Sequence, residues 1–364
     1  MLKAHEEANL FDAIVRIDSI ILQPDFFIPW QHKIQDRCSG TGLVISGDRI
    51  LTNAHNIADA TYISVTKTNA DESHQAKILA VDHDCDLALL TTDDKAFFKN
   101  VHPFELGTTP PPQSPVFVAG FPIGGDELSV TQGMISRIGV QTYTHSRLSH
   151  LVAQLDVAVN PGNSGGPVIY DGQMVGIVFQ ENKQGVGLGY MIPSEIIQHF
   201  LKDVEDGHVD GFSFASFQYV TLDNPATRRY LKMQPEQSGV RIYKVSKSVG
   251  DLLKVDDVLL EIEGMKVAKN GNIRLANGEA RVFTTLIDQE QIGKHVHFKI
   301  LRGGKEMQVD YPRKIPFLCA DKLYDRLPDY YITGGFVFTT LTGSLLDERG
   351  IEEAPVELLS LFGG

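Results

Sequence analysis

Short runs of β-branched and other apolar residues, separated by turns that contain glycine or proline, follow one another through the N-terminal half of the chain. Residues 43–45 and 49–52 are two such runs, joined by a turn at residues 47–48, and residues 116–120 follow a proline-rich loop. The chain holds 33 glycines and 17 prolines, which supply turns at this frequency. Short strands with regular turn signals favour an all-β barrel or sandwich.

Length and charge limit the possible functions. A chain of 364 residues is long enough for about two or three domains. Its net charge of −13 disfavours a nucleic-acid backbone or an anionic membrane as the main partner. No apolar run approaches the roughly 20 residues of a membrane span. The first residues lack a signal-peptide pattern, so we expect a cytoplasmic protein, or an organellar or periplasmic one if a leader has been removed.

The spacing of the cysteines does not match a disulfide framework or a zinc site. Cys38, Cys85 and Cys319 are odd in number and widely spaced. Neither disulfide pairs nor zinc ligands are expected from such spacing, and free buried thiols are predicted. We expect no metal and no other cofactor.

One serine lies in an unusual glycine-rich turn. Residues 160–167 read NPGNSGGP, which places Ser164 between glycines and between two apolar runs. Glycine allows backbone angles closed to other residues and lets a substrate carbonyl approach the main chain. The backbone N–H groups of Gly162, Asn163 and Ser164 are candidates for an oxyanion hole. Taken alone, the motif also fits an ordinary β-turn or the serine of an α/β-hydrolase.

Two upstream segments distinguish between these interpretations of the serine turn. Residues 51–55 read LTNAH and residues 85–89 read CDLAL, so His55 and Asp86 each lie beside a predicted strand. Asp82 and Asp84 compete with Asp86, but the apolar strand that directly follows favours Asp86. The order His, Asp, Ser is the chymotrypsin order, whereas α/β-hydrolases have their histidine last. The other histidines, His83 and His145 among them, lack such a motif and are expected to be solvated.

Together the three segments resemble the active-site motifs of trypsin-like serine proteases, and most closely those of the HtrA/Deg branch. The resemblance implies that Ser164 is the nucleophile, His55 the general base and acid, and Asp86 the residue that orients the imidazole. Residues 121–124 and 187–194 resemble the loops around the site in that branch.

The resemblance also implies substrate-binding positions. The residue six before the nucleophile forms the floor of the specificity pocket in the trypsin-like family, and here it is Ala158. An uncharged floor predicts a small or apolar side chain before the scissile bond. Val178, Phe179 and Gln180 match the strand that pairs with the substrate backbone.

A second type of domain is predicted after a linker at residues 207–211. Residues 253–264 resemble the PDZ signature that follows HtrA-type protease domains, and residues 295–311 resemble its closing hairpin. PDZ domains add an extended peptide to a sheet edge. The implied peptide-binding loop consists of Phe214, Ala215, Ser216 and Phe217. Ser216 replaces the usual glycine of this loop, which predicts weak binding of a terminal carboxylate.

The predicted fold class is mostly β, with a trypsin-like double β-barrel, an α+β PDZ domain and a short second PDZ-like fragment or tail. The predicted domains are an N-terminal strand and apolar arm at 1–30, of which 13–30 pack on the protease domain, a protease domain at 31–208, a PDZ domain at 211–313 and a truncated PDZ-like segment or tail at 314–364.

The resemblance implies an ATP-independent serine endopeptidase that cleaves unfolded or damaged proteins and binds peptides on its PDZ domain. The alternative is a PDZ-bearing chaperone or scaffold whose protease site is inactive at rest. HtrA/Deg proteases form trimers through N-terminal apolar segments, so the arm with Phe26, Phe27, Ile28 and Trp30 predicts a homotrimer. The alternative for the arm is that it folds back on its own barrel.

Overall fold

A computed structural model describes residues 11–123, 127–157, 159–181, 188–246, 250–313 and 321–350. The chain divides into two compact units. One contains residues 1–209 together with 318–363, and the other contains residues 210–317. The C-terminal segment therefore belongs with the N-terminal unit.

Six antiparallel strands close the first barrel of the N-terminal unit. They are β1 (Ile14–Ile21), β2 (Asp36–Ile45), β3 (Arg49–Thr52), β4 (Ala60–Lys67), β5 (Ser73–Asp82) and β6 (Leu87–Thr92). Their order around the barrel is β1-β2-β3-β6-β5-β4. β-Branched side chains such as Val15 and Ile17 point inward and are fully buried, as expected for strands that alternate between core and surface.

A second closed barrel follows. Its strands are β7 (Pro115–Gly120), β8 (Ser129–Thr142), β9 (Ser149–Leu155), β10 (Pro167–Tyr170), β11 (Gln173–Glu181) and β12 (Gly189–Pro193), in the order β10-β11-β12-β9-β8-β7. Valines dominate its core, including Val118, Val168 and Val178. Helix α1 (Ser194–Asp203) then packs Ile197 and Phe200 inward. None of the helices in the described part of the chain could span a bilayer.

The second unit is a small α+β fold. Strands β13 (Phe217–Val220), β14 (Val240–Val245), β15 (Val258–Ile262), β16 (Met265–Lys266), β19 (His295–Arg302) and β20 (Lys305–Pro312) form its main sheet. A hairpin of β17 (Asn272–Arg274) and β18 (Ala280–Val282) and a short helix, α2 (Pro225–Tyr230), complete it. The sheet order β13-β14-β15-β19-β20 leaves β13 at an edge, which is where a PDZ-type fold accepts a peptide.

The C-terminal segment consists of a hairpin, β21 (Tyr330–Thr333) and β22 (Phe336–Thr339), and helix α3 (Gly343–Arg349). Before the hairpin, the segment is tied to the first barrel by a reciprocal pair of hydrogen bonds. The Asp325 side chain accepts from the Asp59 N–H at 2.6 Å, and the Asp59 side chain accepts from the Asp325 N–H at 2.8 Å.

The N-terminal arm forms a tight turn after β1. The Asp25 carboxylate accepts from the N–H groups of Phe27 and Ile28 at 2.9 and 2.8 Å. The turn leaves Phe27 and Trp30 57% and 47% exposed, whereas Phe26 and Ile28 are half-buried, so the arm leaves only part of its apolar surface uncovered. The Trp30 ring contacts the ring of Tyr330, with the centroids 5.8 Å apart.

The predicted fold class, mostly β with a double β-barrel, is confirmed, because strands predominate over helices and two closed barrels are present. Of the cysteines, Cys38 and Cys85 are free, and Cys319 lies outside the described residues. The predicted domain boundaries stay predictions.

Candidate active site

The pairing of strands β3 and β6 brings His55 beside Asp86. His55 lies in a short 3₁₀ turn directly after β3, and Asp86 directly precedes β6. These strands are hydrogen-bonded neighbours, with Thr52 opposite Ala88. The residue that leaves one strand and the residue that enters the other therefore meet at the same end of the barrel.

Asp86 is fixed on both its side chain and its main chain. Its Oδ2 lies 2.7 Å from His55 Nδ1, and its Oδ1 accepts from the His55 backbone N–H at 2.9 Å. The carbonyl of Asp86 accepts from the N–H of Ala54 and from Asn53 Nδ2. The backbone of Asp86 is in the left-handed region, with φ 58°, a conformation that aspartate tolerates better than most residues.

Opposing effects set the charge states of this pair. Burial disfavours the imidazolium, but the charge of Asp86 and its hydrogen bond outweigh burial and raise the pKa of His55 above its usual value. Burial likewise disfavours the Asp86 carboxylate, yet the charge and hydrogen bond of His55 bring the net pKa of Asp86 below its usual value. Asp86 is therefore ionised at neutral pH and holds the Nδ1–H tautomer of His55.

The two competing aspartates do not reach the histidine. Within the described chain, neither Asp82 nor Asp84 is hydrogen-bonded to His55. The Asp82 carboxylate instead accepts from the Asp84 N–H at 2.8 Å. Burial and the charge of Asp82 raise the pKa of Asp84 to about 6.

Only glycine fits at two positions of the serine turn. Gly162 and Gly165 have φ values of 96° and 87°. A Cβ on Gly162 would lie 2.3 Å from the Phe121 carbonyl oxygen, and one on Gly165 would lie 1.9 Å from the carbonyl oxygen of Thr41. Both the backbone angles and the close approach of other main chain therefore exclude a side chain.

Strand β2 of the first barrel holds the serine turn of the second. The Thr41 N–H donates to the Ser164 carbonyl at 2.8 Å, and Thr41 Oγ1 donates to the Gly162 carbonyl at 2.7 Å. Asn56, next to His55, donates from Nδ2 to the same Ser164 carbonyl at 3.0 Å. The position of Ser164 is thus set jointly by the two barrels.

The peptide planes of the turn are oriented for an oxyanion hole. The Pro161 carbonyl accepts from the Ile123 N–H at 2.8 Å. Because the C=O and N–H of one peptide point in opposite directions, the Gly162 N–H points away from Ile123. Among the residues that the structure describes, no acceptor is bonded to the N–H of Gly162 or Ser164. Both are available to a substrate oxygen.

Asn163 differs from the prediction. Its N–H donates to the Asn160 carbonyl at 3.0 Å and closes the turn. Asn163 therefore shapes the oxyanion hole and does not contribute a donor to it.

The Ser164 hydroxyl is not yet engaged with the histidine. Its hydrogen bond runs to the Phe179 carbonyl at 3.5 Å. In the described part of the chain, Ser164 Oγ makes no hydrogen bond to His55. Hydrogen bonds between a nucleophile and its base are often long without substrate and tighten only when substrate is bound.

The predicted substrate strand is β11, and its residues are not equivalent. The N–H and C=O of Val178 are taken by Gly166 and Gly165 at 3.0 and 2.8 Å. Val178 therefore holds the serine turn and cannot also pair with a substrate. The ladder shifts register between Val178 and Gln180, which leaves Phe179 at a bulge. Ala158, the predicted pocket floor, lies outside the described residues.

A cleft of about 1010 Å³ opens beside His55. Its lining includes His145, from the loop between β8 and β9, and Lys322 and Tyr324, from the C-terminal segment. The rings of His55 and His145 have centroids 6.2 Å apart. The expectation that His83 and His145 are solvated is wrong, because both are half-buried and their rings contact each other, with the centroids 5.2 Å apart. No local sequence motif surrounds either histidine, so the sequence signal for this pair is weak.

In the second unit, the predicted peptide loop is partly occupied from within. The Ser216 N–H donates to the Tyr311 hydroxyl at 2.8 Å, and the Ser216 carbonyl accepts from the Ser246 N–H at 2.9 Å. Phe217 is buried among Phe283, Phe298 and Tyr311, and Ala215 packs against the same core. Phe214 is half-buried. Phe217 is therefore a core residue and not a peptide contact.

Two family models match the chain. The one described as "Trypsin-like peptidase domain" matches residues 40–177, and the one described as "PDZ domain" matches residues 319–363. The second match falls on the predicted second PDZ-like segment.

Three curated relatives illustrate the similarity. "Putative protease Do-like 3, mitochondrial" of Arabidopsis thaliana is 36% identical over 94% of this chain and 62% of its own length. "Putative protease Do-like 13" of the same plant is 35% identical over 92% of this chain and 69% of its own length. "Serine protease DegP homolog" of Plasmodium falciparum is 41% identical over 67% of this chain and 28% of its own length. The chain thus spans 28% to 69% of the length of these three relatives.

Solved structures share the fold. "HtrA-type protease AlgW with tripeptide" superposes with a TM-score of 0.65 at 21% identity, over 85% of this chain and 95% of that one. The serine endoprotease from Yersinia pestis superposes with a TM-score of 0.55 at 21% identity, over 86% of this chain and 99% of that one.

Proposed function

Because the chain belongs to the Do-like (Deg) family of HtrA-type, trypsin-like proteases, we propose that it is a serine endopeptidase that hydrolyses peptide bonds of protein substrates without ATP. The observation that carries this proposal is the buried Asp86 that holds His55 at 2.7 Å, beside a serine turn in which no described acceptor takes the N–H groups of Gly162 and Ser164. This combination supplies a base and an oxyanion site together.

In the proposed reaction, Ser164 Oγ attacks the scissile carbonyl carbon while His55 Nε2 takes its proton. The carbonyl electron pair moves to the oxygen, which the N–H groups of Gly162 and Ser164 stabilise. His55 then gives the proton to the leaving amine, the C–N bond breaks and an acyl-enzyme remains. Water, deprotonated by His55, releases the acyl group by the same steps. Asp86 stays ionised throughout and stabilises the imidazolium.

The orientation of the Ser164 hydroxyl adds one requirement. The hydroxyl has to leave the Phe179 carbonyl, 3.5 Å away, before His55 can take its proton. A substrate strand that pairs with Phe179 would compete with the Ser164 hydroxyl for the Phe179 carbonyl. We infer that substrate binding itself thereby favours the Ser164 rotamer that faces His55. The alternative function, a chaperone or scaffold with an idle site, has less support, because the histidine, the aspartate and the peptide planes are already in place.

We propose unfolded or damaged proteins as substrates and cleavage after small or apolar residues. The support is the uncharged residue Ala158, the position of β13 at a sheet edge and a structural neighbour that was solved with a tripeptide. We also propose that the chain assembles as a homotrimer through the arm, since Phe27 and Trp30 remain largely exposed.

Casein digestion and labelling with a fluorophosphonate, which reacts with activated serines, test the proposal. The wild type should digest casein and carry one label at Ser164. Ser164→Ala should lose both, by roughly 10⁴-fold or more in cleavage rate, while Ser73→Ala, at an exposed strand start, should retain them. Equal cleavage by Ser164→Ala and wild type would contradict the assignment.

The cytoplasmic location stays a prediction. Several relatives carry the words mitochondrial or chloroplastic in their names, which makes an organelle the main alternative for this chain. Fluorescence imaging of a tagged full-length protein in its native host separates the two.

A further inference from the structure

Two side chains of the C-terminal segment reach the cleft beside His55, although the nucleophile and base both lie more than 150 residues earlier in the sequence. Lys322 and Tyr324 line this cleft together with His145 and Thr144. His55 keeps 29% of its side chain exposed. The segment therefore lines the cleft and leaves its mouth open.

Tyr324 and Lys322 fasten the loop between β8 and β9 at a single carbonyl. The Tyr324 hydroxyl and Lys322 Nζ both donate to the His145 carbonyl oxygen, at 2.8 and 2.7 Å. The Lys322 ammonium is also paired with Asp347 of helix α3 at 2.9 Å. Two donors on one carbonyl, one of them charged, give this loop a fixed position relative to His55.

The ring of Tyr324 completes an aromatic layer. It stacks on His83 with a centroid separation of 4.0 Å and an interplanar angle of 13°, and its centroid lies 4.6 Å from that of His145. Stacked rings at such distances attract one another beyond simple burial. Tyr324 and His83 therefore form a stacked pair at the edge of the cleft, and the His145 ring contacts Tyr324 at a tilt of 30°.

A chain of polar contacts orients the two imidazoles of the layer. His83 Nδ1 lies 2.9 Å from His145 Nε2, and His83 Nε2 lies 3.0 Å from Asp325 Oδ2. Of the two facing nitrogens one must donate and the other accept, so the two rings cannot both be fully protonated. Burial, with the positive neighbours His55 and Lys322, lowers the pKa of His145 to about 4. The imidazole beside His55 is neutral at pH 7.

We propose that Tyr324 is a specificity-determining residue of the protease site, which together with His145 forms the wall of the subsite for the substrate side chain that lies over His55. The inference rests on the proposed function. Charged side chains, Asp36 and Arg37 among them, also line this cleft, but the rings of Tyr324 and His145 offer no opposite charge. A substrate side chain that packs on these two rings is therefore selected for apolar or aromatic character, because an ionised group would lose water there without gaining a partner from the rings. The C-terminal segment thus supplies part of the substrate-binding surface.

Cleavage profiling of the full-length protein tests this. A mixture of peptides is digested, and the residues at each position around the cuts are counted by mass spectrometry. We expect Tyr324→Ala to reduce the preference for apolar over charged residues at one position near the cut by about tenfold. Tyr324→Phe, which loses the hydroxyl and keeps the ring, should retain most of the preference. Tyr331→Ala, at a position 66% exposed in the same segment, is the matched control and should not change the profile.

The rate of fluorophosphonate labelling distinguishes a failure of the specificity role of Tyr324 from a failure of the proposed protease function. If Tyr324→Ala is labelled at the wild-type rate and its cleavage profile is unchanged, the specificity role is overturned. A uniform rise in cleavage at all sites would also overturn it, because that result would indicate that Tyr324 acts as a lid. A wild type that neither labels nor cleaves would instead refute the proposed function. If Tyr324→Ala fails to fold, Tyr324→Leu, which keeps an apolar side chain without a stacking ring, decides the question by the same profile.

Discussion

The carboxylate of Asp86 holds His55 twice, once through Nδ1 at 2.7 Å and once through the backbone N–H at 2.9 Å. The first contact fixes the orientation of the imidazole, and the second fixes the turn from which it projects. The same side chain thereby determines both where the ring starts and which way it faces.

Asp86→Asn should therefore lower peptide hydrolysis by about 10⁴-fold. An amide group has one acceptor oxygen, and its NH₂ would favour the imidazole tautomer whose Nε2 cannot accept the Ser164 proton. The measurement is kcat/KM on a peptide substrate, with Asp84→Asn as the control from the same turn. Activity of Asp86→Asn within tenfold of wild type would rule out this role.

Activity should fall on acidification with a midpoint above the usual histidine pKa of about 6.5. Protonated His55 cannot accept the serine proton, and the pKa of His55 is raised, so loss begins at a higher pH than for an unpaired histidine. The kcat/KM profile between pH 5 and 9 measures it. An acid limb centred below pH 6 would contradict the raised pKa.

The interaction between His55 and Asp86 also makes the stability of the fold depend on pH. A histidine whose folded pKa is raised contributes stability that is complete below its unfolded pKa and disappears as the pH rises through the folded value. The contribution of His55 should thus diminish from about pH 6.5 upward. Comparing denaturation midpoints of wild type and His55→Ala across this window checks the sign.

Cuts in casein should follow small or apolar residues such as Val, Ala, Ile and Leu. The predicted floor position of the pocket is Ala158, an uncharged residue that would offer no partner to a basic side chain. Mass spectrometry of the fragments gives the distribution. A clear majority of cuts after Lys or Arg would refute the expectation, and Ala158→Asp should move cuts toward those residues.

Free C-terminal peptides should bind the second unit weakly, and amidation of the peptide should change the affinity by less than about threefold. The Ser216 N–H already donates to the Tyr311 hydroxyl, so a terminal carboxylate must displace that bond. Titration of full-length Ser164→Ala with a peptide and its amidated twin measures the difference. Tyr311→Phe removes the internal acceptor and should increase the effect of amidation.

Light scattering should give the mass of a trimer, about three times 40.2 kDa. Phe27 and Trp30 are largely exposed on the arm, and aromatic side chains of this size contribute strongly to interfaces. The Phe27→Asp/Trp30→Asp double variant should run at a lower mass, while Phe117→Asp, also exposed but on β7, should not. A monomeric wild type would contradict the assembly.

The positions of the three proposed catalytic residues can be inferred from the sequence because each of them follows or precedes a strand with a strong local pattern. His55 and Asp86 meet since β3 and β6 pair, and Ser164 lies in a turn that glycine makes recognisable. Strand pairing and turn geometry are encoded by residues close in sequence. Strand pairing and turn geometry are therefore the features that local sequence patterns can predict.

What the sequence does not reveal depends on hydrogen bonds between distant segments. The N–H of Asn163 is taken by the turn, and both backbone groups of Val178 are taken by glycines of the serine turn. Tyr324 meets a carbonyl 179 positions away. No local propensity specifies such a contact, so the role of the C-terminal segment appears only in the folded chain.

The bonds from Thr41 and Asn56 to the serine turn have a consequence for a chain that is still being synthesised. The first barrel, with its histidine and aspartate, emerges from the ribosome long before residue 164. Because Thr41 of strand β2 hydrogen-bonds to the turn of the second barrel, we expect the proposed hydrolytic activity to arise only after both barrels have formed and packed together. A molecule in which only the first barrel has folded should therefore not cleave its neighbours.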